Sequence, residues 1–221
     1  MKPRPPRIDL RSDPEADLSD AVHWLRSGRL VAYPTETVYG VGGACTDAAV
    51  ARLRRLKDPG RSSPFLALVE STASVGRLEW TAPARELARI FWPGSLTLVL
   101  GDPRGTFPQG VRHPRTGAVG VRVSSHPVVA RLLAGLGGPI TSTSVNVPGE
   151  PPALSADEAS DALGRMGGSD VLVLDVGTLP SSPPSSVVDC TGSEPSMLRE
   201  GTVPLDRVRC VLPEIHGKRQ S

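Results

Sequence analysis

Short apolar runs alternate with segments of helical periodicity along almost the whole chain, and this alternation restricts the fold more than any other feature. Residues 30–33, 64–69, 95–100, 118–123, 139–142, 171–174 and 186–188 read as strands, and 208–212 reads as one more. Residues 47–57 read as a helix, because Ala48, Val50, Ala51, Leu53 and Leu56 recur at helical spacing with arginines between them. Residues 84–91 form a second helical pattern, with Pro83 suited to its first turn. A third spans 127–134, and a fourth opens at the capping box Ser155-Ala-Asp-Glu158 and runs to about Arg165. Strands separated by helices predict an α/β domain built on a mixed sheet.

At 221 residues the chain is long enough for one sizeable domain that needs neither disulfide nor metal to hold its core. Residues 1–14 are rich in proline and arginine and are expected to form a flexible arm; residues 213–221 read as a polar tail, leaving 15–212 as the folded unit. The 25 basic and 23 acidic residues leave a net charge of +2, which excludes a polycation of the histone kind. Cys45, Cys190 and Cys210 are odd in number and share no C-x-x-C spacing, so neither a disulfide framework nor a zinc site is expected, and a reducing cytoplasmic setting is. The four histidines show no metal spacing, and no protein-borne metal site is expected. No apolar run approaches the roughly 20 residues that span a bilayer, and the N-terminal stretch carries no apolar signal core, so no membrane association is expected.

The chemistry-bearing segments are small, polar and placed at strand ends, where open α/β sheets bind ligands. Tyr33-Pro-Thr-Glu-Thr-Val-Tyr-Gly40 follows a strand and leads through a Gly-rich turn towards a helix. Ser142-Thr-Ser-Val-Asn146 follows the strand at 139–142, and Pro184-Ser-Ser-Val-Val-Asp189 enters another. Taken singly, each is also compatible with a local hydroxyl- or Asx-capped turn. Arg122 interrupts an apolar strand, so it either sits on a solvated face or points at an anion. Only Lys2, Lys57 and Lys218 are lysines; the other 22 basic residues are arginines, which singles out Lys57 as a compact cation in mid-chain. There is no P-loop, no G-x-G-x-x-G and no G-x-S-x-G elbow.

In this order and spacing, YPTETVYG (33–40), the helix ending at Lys57, PFLALV (64–69), WPGSLTLVL (92–100), VGVRVSSHP (119–127), STSVN (142–146), SSVVD (185–189) and LREG (198–201) resemble the YrdC/TsaC family of threonylcarbamoyl-AMP synthases. The resemblance covers about residues 15–205. It implies a single α/β domain, a twisted mixed sheet flanked by helices, with a concave basic cleft, and it implies the short, single-domain form of the family. The implied reaction joins L-threonine, bicarbonate and ATP into threonylcarbamoyl-AMP and pyrophosphate, with Mg2+ carried mainly by the phosphates. A transferase machinery downstream would then modify tRNA.

By position, the resemblance assigns Thr35, Arg122, Ser142 and Ser185 to threonine binding. It assigns Lys57, Arg61, Ser144, Asn146 and Arg199 to the nucleotide, with Lys57 and Arg61 as catalytic residues. Such a reaction brings two anions together, so alignment and charge neutralisation are its main demands, and no His or Cys nucleophile is required. The chain departs from the family pattern in three places. Pro59 stands where a Lys-x-Arg motif places its arginine, so that either Arg61 reaches the phosphates from a re-shaped loop or that charge is lost. Ser124 replaces the proline of an Arg-Val-Pro motif, and Val145 replaces the alanine of Ser-Ala-Asn. A second reading, a non-catalytic RNA-binding or ribosome-associated module with weak RNA affinity, is motivated by the arginine-rich helix at 52–55 and the basic arm. The few aromatic residues speak against base stacking. A carbamoyl-transfer module of the hydrogenase-maturation kind is disfavoured, because the zinc-finger and acylphosphatase-like segments that accompany it do not fit in this length.

Overall fold

The computed structural model describes residues 4–57, 60 and 63–217. The described strands are β1 (Arg7–Asp9), β2 (Val31–Pro34), β3 (Tyr39–Gly42), β4 (Leu66–Leu68), β5 (Leu96–Leu100), β6 (Val119–Arg122), β7 (Ile140–Ser144), β8 (Leu172–Asp175), β9 (Ser186–Asp189) and β10 (Ser196–Arg199). They form one mixed sheet in the order β1-β8-β2-β3-β7-β4-β6-β5-β9-β10. The described helices are α1 (Ser19–Arg26), α2 (Asp47–Lys57), α3 (Ala82–Phe91), α4 (Pro127–Leu136), α5 (Ala156–Arg165) and α6 (Leu205–Arg209).

Strand alternation divides the interior into two cores. Val31 and Tyr33 of β2, Leu172 and Leu174 of β8 and Leu68 of β4 join Ala21, Val22 and Leu25 of α1 and Val128, Val129, Leu132 and Leu133 of α4. Their sequence neighbours Ala32, Val173 and Ala67 point the other way, into the core shared with α2, α3, α5 and α6. Helices therefore lie on both faces, but α1 and α4 contact one end of the sheet, around β2. This unequal cover leaves the middle of that face open, and the open part is where the polar strand residues gather.

Local signals account for most helix boundaries. Ser155 caps α5 by accepting from the Glu158 amide, and Glu158 returns the contact to the Leu154 amide at 2.7 Å. Thr81 caps α3, two residues ahead of Pro83. Gly137 ends α4 in the left-handed conformation at φ 72°.

Four expectations change. Residues 208–212 are not a strand: α6 begins after the extended Pro204, and Leu205, Val208 and Leu212 share a helical stripe against the core. The Gly-rich stretch after Tyr39 is β3, the second half of a hairpin with β2, rather than a turn into α2. Glycine suits it because a Cβ on Gly42 would lie 1.6 Å from the Thr141 carbonyl oxygen of β7. The expected flexible arm contains β1, which pairs in parallel with β8, while Leu10 is 1% exposed in the α1–α4 core. Proline and arginine content hid this short edge strand, whose Arg7 guanidinium donates to Ser160 Oγ and the Ala156 carbonyl of α5. At the other end, Ile215 is buried and the His216 carbonyl accepts from the Met197 amide, so the described part of the expected tail packs beside β10.

Candidate active site

The open part of the sheet floors a cleft of about 760 Å3. Strand register builds this floor. Gly40 stands opposite Ser144, Leu66 opposite Ser142, Val99 opposite both Gly120 and Asp189, and Thr97 opposite Val187. All of these residues line the cleft, whereas their neighbours Leu96, Leu98, Val119, Val121 and Val188 face the opposite core. The alternation that fills a core on one side thus leaves glycine, serine, threonine and arginine on the other.

Six of the nine sequence-assigned residues line this single cleft: Thr35, Arg122, Ser142, Ser144, Ser185 and Arg199. They come from the β2–β3 turn, β6, β7, the residue before β9 and the end of β10, so the sheet order brings together positions separated by up to 164 residues of sequence, from 35 to 199. Thr35 is buried and closes its own turn: its hydroxyl donates to the Val38 carbonyl at 2.7 Å and accepts from the Thr37 and Val38 amides. The Ser185 hydroxyl accepts from Arg199 Nη2 at 3.1 Å and lies 3.4 Å from Thr97 Oγ1, while Arg199 Nε donates to the Ser185 carbonyl. Arg199 is exposed as a residue, but its head group is tucked over Ser185. That desolvation, together with the positive charge of Arg122, draws the Arg199 guanidinium below its ordinary pKa.

Arg122 is 3% exposed and lines the cleft from β6. Its Nε lies 3.7 Å from Glu36 Oε1, and neither atom has a hydrogen-bond partner among the described residues. Glu36 is held from its other oxygen by the Ser124 hydroxyl at 2.5 Å. A buried guanidinium that lines a cleft with a counter-charge on one side only is placed to receive a second anion.

Lys57 and Asn146 stand apart from the other six. Lys57 is buried at the end of α2, and its ammonium donates to the Ser144 carbonyl at 3.0 Å, the Asn146 carbonyl at 2.7 Å and Asn146 Oδ1 at 2.9 Å. Asn146 Oδ1 also accepts from Ser144 Oγ at 2.7 Å, and Asn146 lines a neighbouring groove beside α5. Lys57 thus ties α2 to the turn that carries Ser144 into the cleft. Arg61 lies outside the described residues.

Other lining residues escaped the sequence reading: Thr97, His113, Arg115 and Asp189, with Glu36 just behind Arg122. Thr97 carried the same signal as Arg122, a polar residue inside an apolar strand run. Arg115 and His113 lie in a long loop between β5 and β6, where nothing in the sequence says which way a side chain points. Among the described residues, no group of three or more His, Cys, Asp and Glu is placed to hold a metal ion.

The family profile described as telomere recombination, for Sua5, YciO and YrdC, matches residues 23–201. A Mycobacterium leprae relative is 40% identical over 199 residues, covering 88% of this chain and 87% of its own. The threonylcarbamoyl-AMP synthase of Chromohalobacter salexigens is 39% identical over 183 residues, covering 80% of this chain and 94% of its own. The structure of Pyrococcus abyssi Sua5 complexed with L-threonine superposes with a TM-score of 0.86 at 31% identity, covering 96% of this chain; this chain spans 62% of that one. The shared fold and a profile match over most of the sequence lead to one conclusion: the chain belongs to the Sua5/YciO/YrdC family.

Proposed function

We propose that this protein is a threonylcarbamoyl-AMP synthase, a nucleotidyltransferase that uses L-threonine, bicarbonate and ATP. The observation that carries this reading is the convergence of the buried Arg122, the hydroxyls of Thr35, Ser142, Ser144 and Ser185, and Arg199 on one cleft. Homologues bearing that enzyme name, and a related fold complexed with L-threonine, support the enzyme and its amino-acid substrate.

The residues divide the work by chemistry. Arg122 offers a fork of donors suited to the threonine carboxylate. Ser142 and Ser185 present hydroxyls to the rest of the amino acid, and the Thr35 turn shapes the wall beside them. Arg199 and Ser144, which line the same cleft, would offer donors to phosphate oxygens, with Lys57 and Asn146 bracing Ser144 from behind. The threonine amine adds to CO2 released from bicarbonate to give a carbamate, and the amine proton leaves with the bicarbonate hydroxide as water. A carbamate oxygen then bonds to the α-phosphorus of ATP as the bond to the bridging oxygen breaks, and pyrophosphate leaves with that electron pair. The protein contributes in-line placement and neutralisation of like charges, and both gain strength in a cleft partly closed to water.

Magnesium would arrive with ATP, held by phosphates and water. No step is assigned to the ion. Use of the product by a tRNA-modifying transferase, and a cytoplasmic setting, belong to the same proposal; no described helix is long and apolar enough to cross a membrane.

Pyrophosphate release from the purified protein with ATP, Mg2+, bicarbonate and L-threonine tests the reading. Release should require threonine and should be accompanied by threonylcarbamoyl-AMP in mass spectra. Release independent of threonine would sink it.

A further inference from the structure

The Glu36–Arg122 contact is an open ion pair at the wall of the cleft. The two side chains approach to 3.7 Å, the guanidinium is almost fully buried, and the facing atoms, Arg122 Nε and Glu36 Oε1, each lack a hydrogen bond among the described residues. A closed pair in the same chain looks different: Arg89 grips Glu86 through two nitrogens at 3.0 and 2.6 Å. Closure should be favoured more strongly in a buried pair, where an unmade bond carries the larger penalty. What holds this pair open is on the other side of the carboxylate. Ser124 Oγ donates to Glu36 Oε2 at 2.5 Å, and the same serine oxygen accepts from the His126 amide at 3.2 Å, which fixes the hydroxyl at the entrance to α4. Ser124 is also the residue that stands where the family resemblance places proline, which has no side-chain donor.

We infer that Ser124 and Glu36 form a tethered counter-ion that sets the carboxylate affinity of Arg122. Glu36 compensates the buried positive charge in the empty cleft. Because Ser124 holds it back, Glu36 leaves the guanidinium donors to the incoming carboxylate instead of occupying them. Glu36 and Ser124 are thus positioning residues, and the device belongs to this chain's serine rather than to the family pattern. The inference rests on the reading of Arg122 as the ligand for the substrate carboxylate.

Threonine binding, measured by calorimetry on the full-length protein, tests it together with steady-state kinetics. Ser124→Ala releases Glu36 to close on Arg122, so the Kd and KM for L-threonine should rise roughly tenfold, the scale of one hydrogen bond to a charged group, with a much smaller change in kcat. Ser124→Thr restores the hydroxyl and should restore affinity. In a Glu36→Gln background the competitor has lost its charge, so adding Ser124→Ala should have little further effect. Thermal melts establish that each variant is folded. Equal threonine affinity in wild type and Ser124→Ala, or the same loss from Ser124→Ala with and without Glu36→Gln, would overturn the inference. Failure of the wild-type protein to bind L-threonine would instead remove the functional reading, and this inference with it.

Discussion

The Lys57 ammonium lies 2.9 Å from Asn146 Oδ1, joining the C-terminal end of α2 to the turn that follows β7. The same ammonium holds two main-chain carbonyls of that turn, at Ser144 and Asn146. A compact cation with three donor directions fits this arrangement better than a planar guanidinium, which accounts for a lysine in a chain whose other basic residues, Lys2 and Lys218 apart, are arginines.

Lys57→Ala should therefore act on shape as well as charge. Removing the ammonium takes a donor from the part-buried Ser144 and Asn146 carbonyls, a cost of about 1–3 kcal/mol for each one left unsatisfied. We expect a lower melting temperature and at least a tenfold fall in threonine-dependent pyrophosphate release. Lys57→Arg keeps the charge but not the geometry and should recover little. Full activity in the alanine variant would remove Lys57 from the working parts of the cleft.

Arg122→Lys retains a positive charge beside Glu36 but loses the fork. Threonine binding should weaken by roughly 10- to 100-fold, the range for losing one hydrogen bond between charged groups. ATP binding should change far less, which equilibrium titration with each ligand separately would reveal. Equal losses for both ligands would contradict the assignment of Arg122 to the carboxylate.

The loop after β5 is organised by a buried acid. Asp102 accepts from the Thr106 amide at 2.9 Å, Thr106 Oγ1 at 2.8 Å and the Phe107 amide at 3.0 Å, with Arg112 Nε 3.3 Å away. Burial alone would raise its pKa, but these donors outweigh it and hold the carboxyl below its ordinary value. A folded-state pKa below the unfolded one adds stability that is fully present above the unfolded value and is lost as pH falls through the folded one. Chemical denaturation from neutral pH downward should show stability falling once the medium is acidic enough to protonate carboxylates. Asp102→Asn should be less stable at neutral pH and should lose less on acidification. An unchanged acid limb in that variant would count against this clasp.

β1 and the residues after it are predicted to be structural. Leu10→Ala empties a site between β8 and the α1–α4 pair and should cost about 2–5 kcal/mol, the usual range for buried leucine truncation. Urea unfolding would measure it. A cost under about 0.5 kcal/mol, typical of surface positions, would show that the segment is dispensable.

The α/β class, α2 and the capped start of α5 were legible because period and capping residues act within a few positions of each other. The site was partly legible for a different reason: polar residues at strand ends, and Arg122 within an apolar run, conflict with their local pattern, and such conflicts concentrate where a fold binds something. β1 was not legible, since three residues of edge strand carry too little pattern to outweigh proline and arginine around them. Residues 208–212 misled because one buried valine decides their face, and alternation and helical spacing differ little over five positions.

Sequence by itself settled which residue types were present and the order in which most strands and helices follow one another. Only the tertiary structure decided that the floor of the cleft is the half-face α1 and α4 leave uncovered, that Lys57 braces Ser144 from behind, and that Glu36 stands open against Arg122. The reason is physical. Secondary structure depends on neighbours in the chain, whereas the partner of a buried charge is set by sheet order and register, which bring Glu36, Arg122 and Ser124 together from two separate segments.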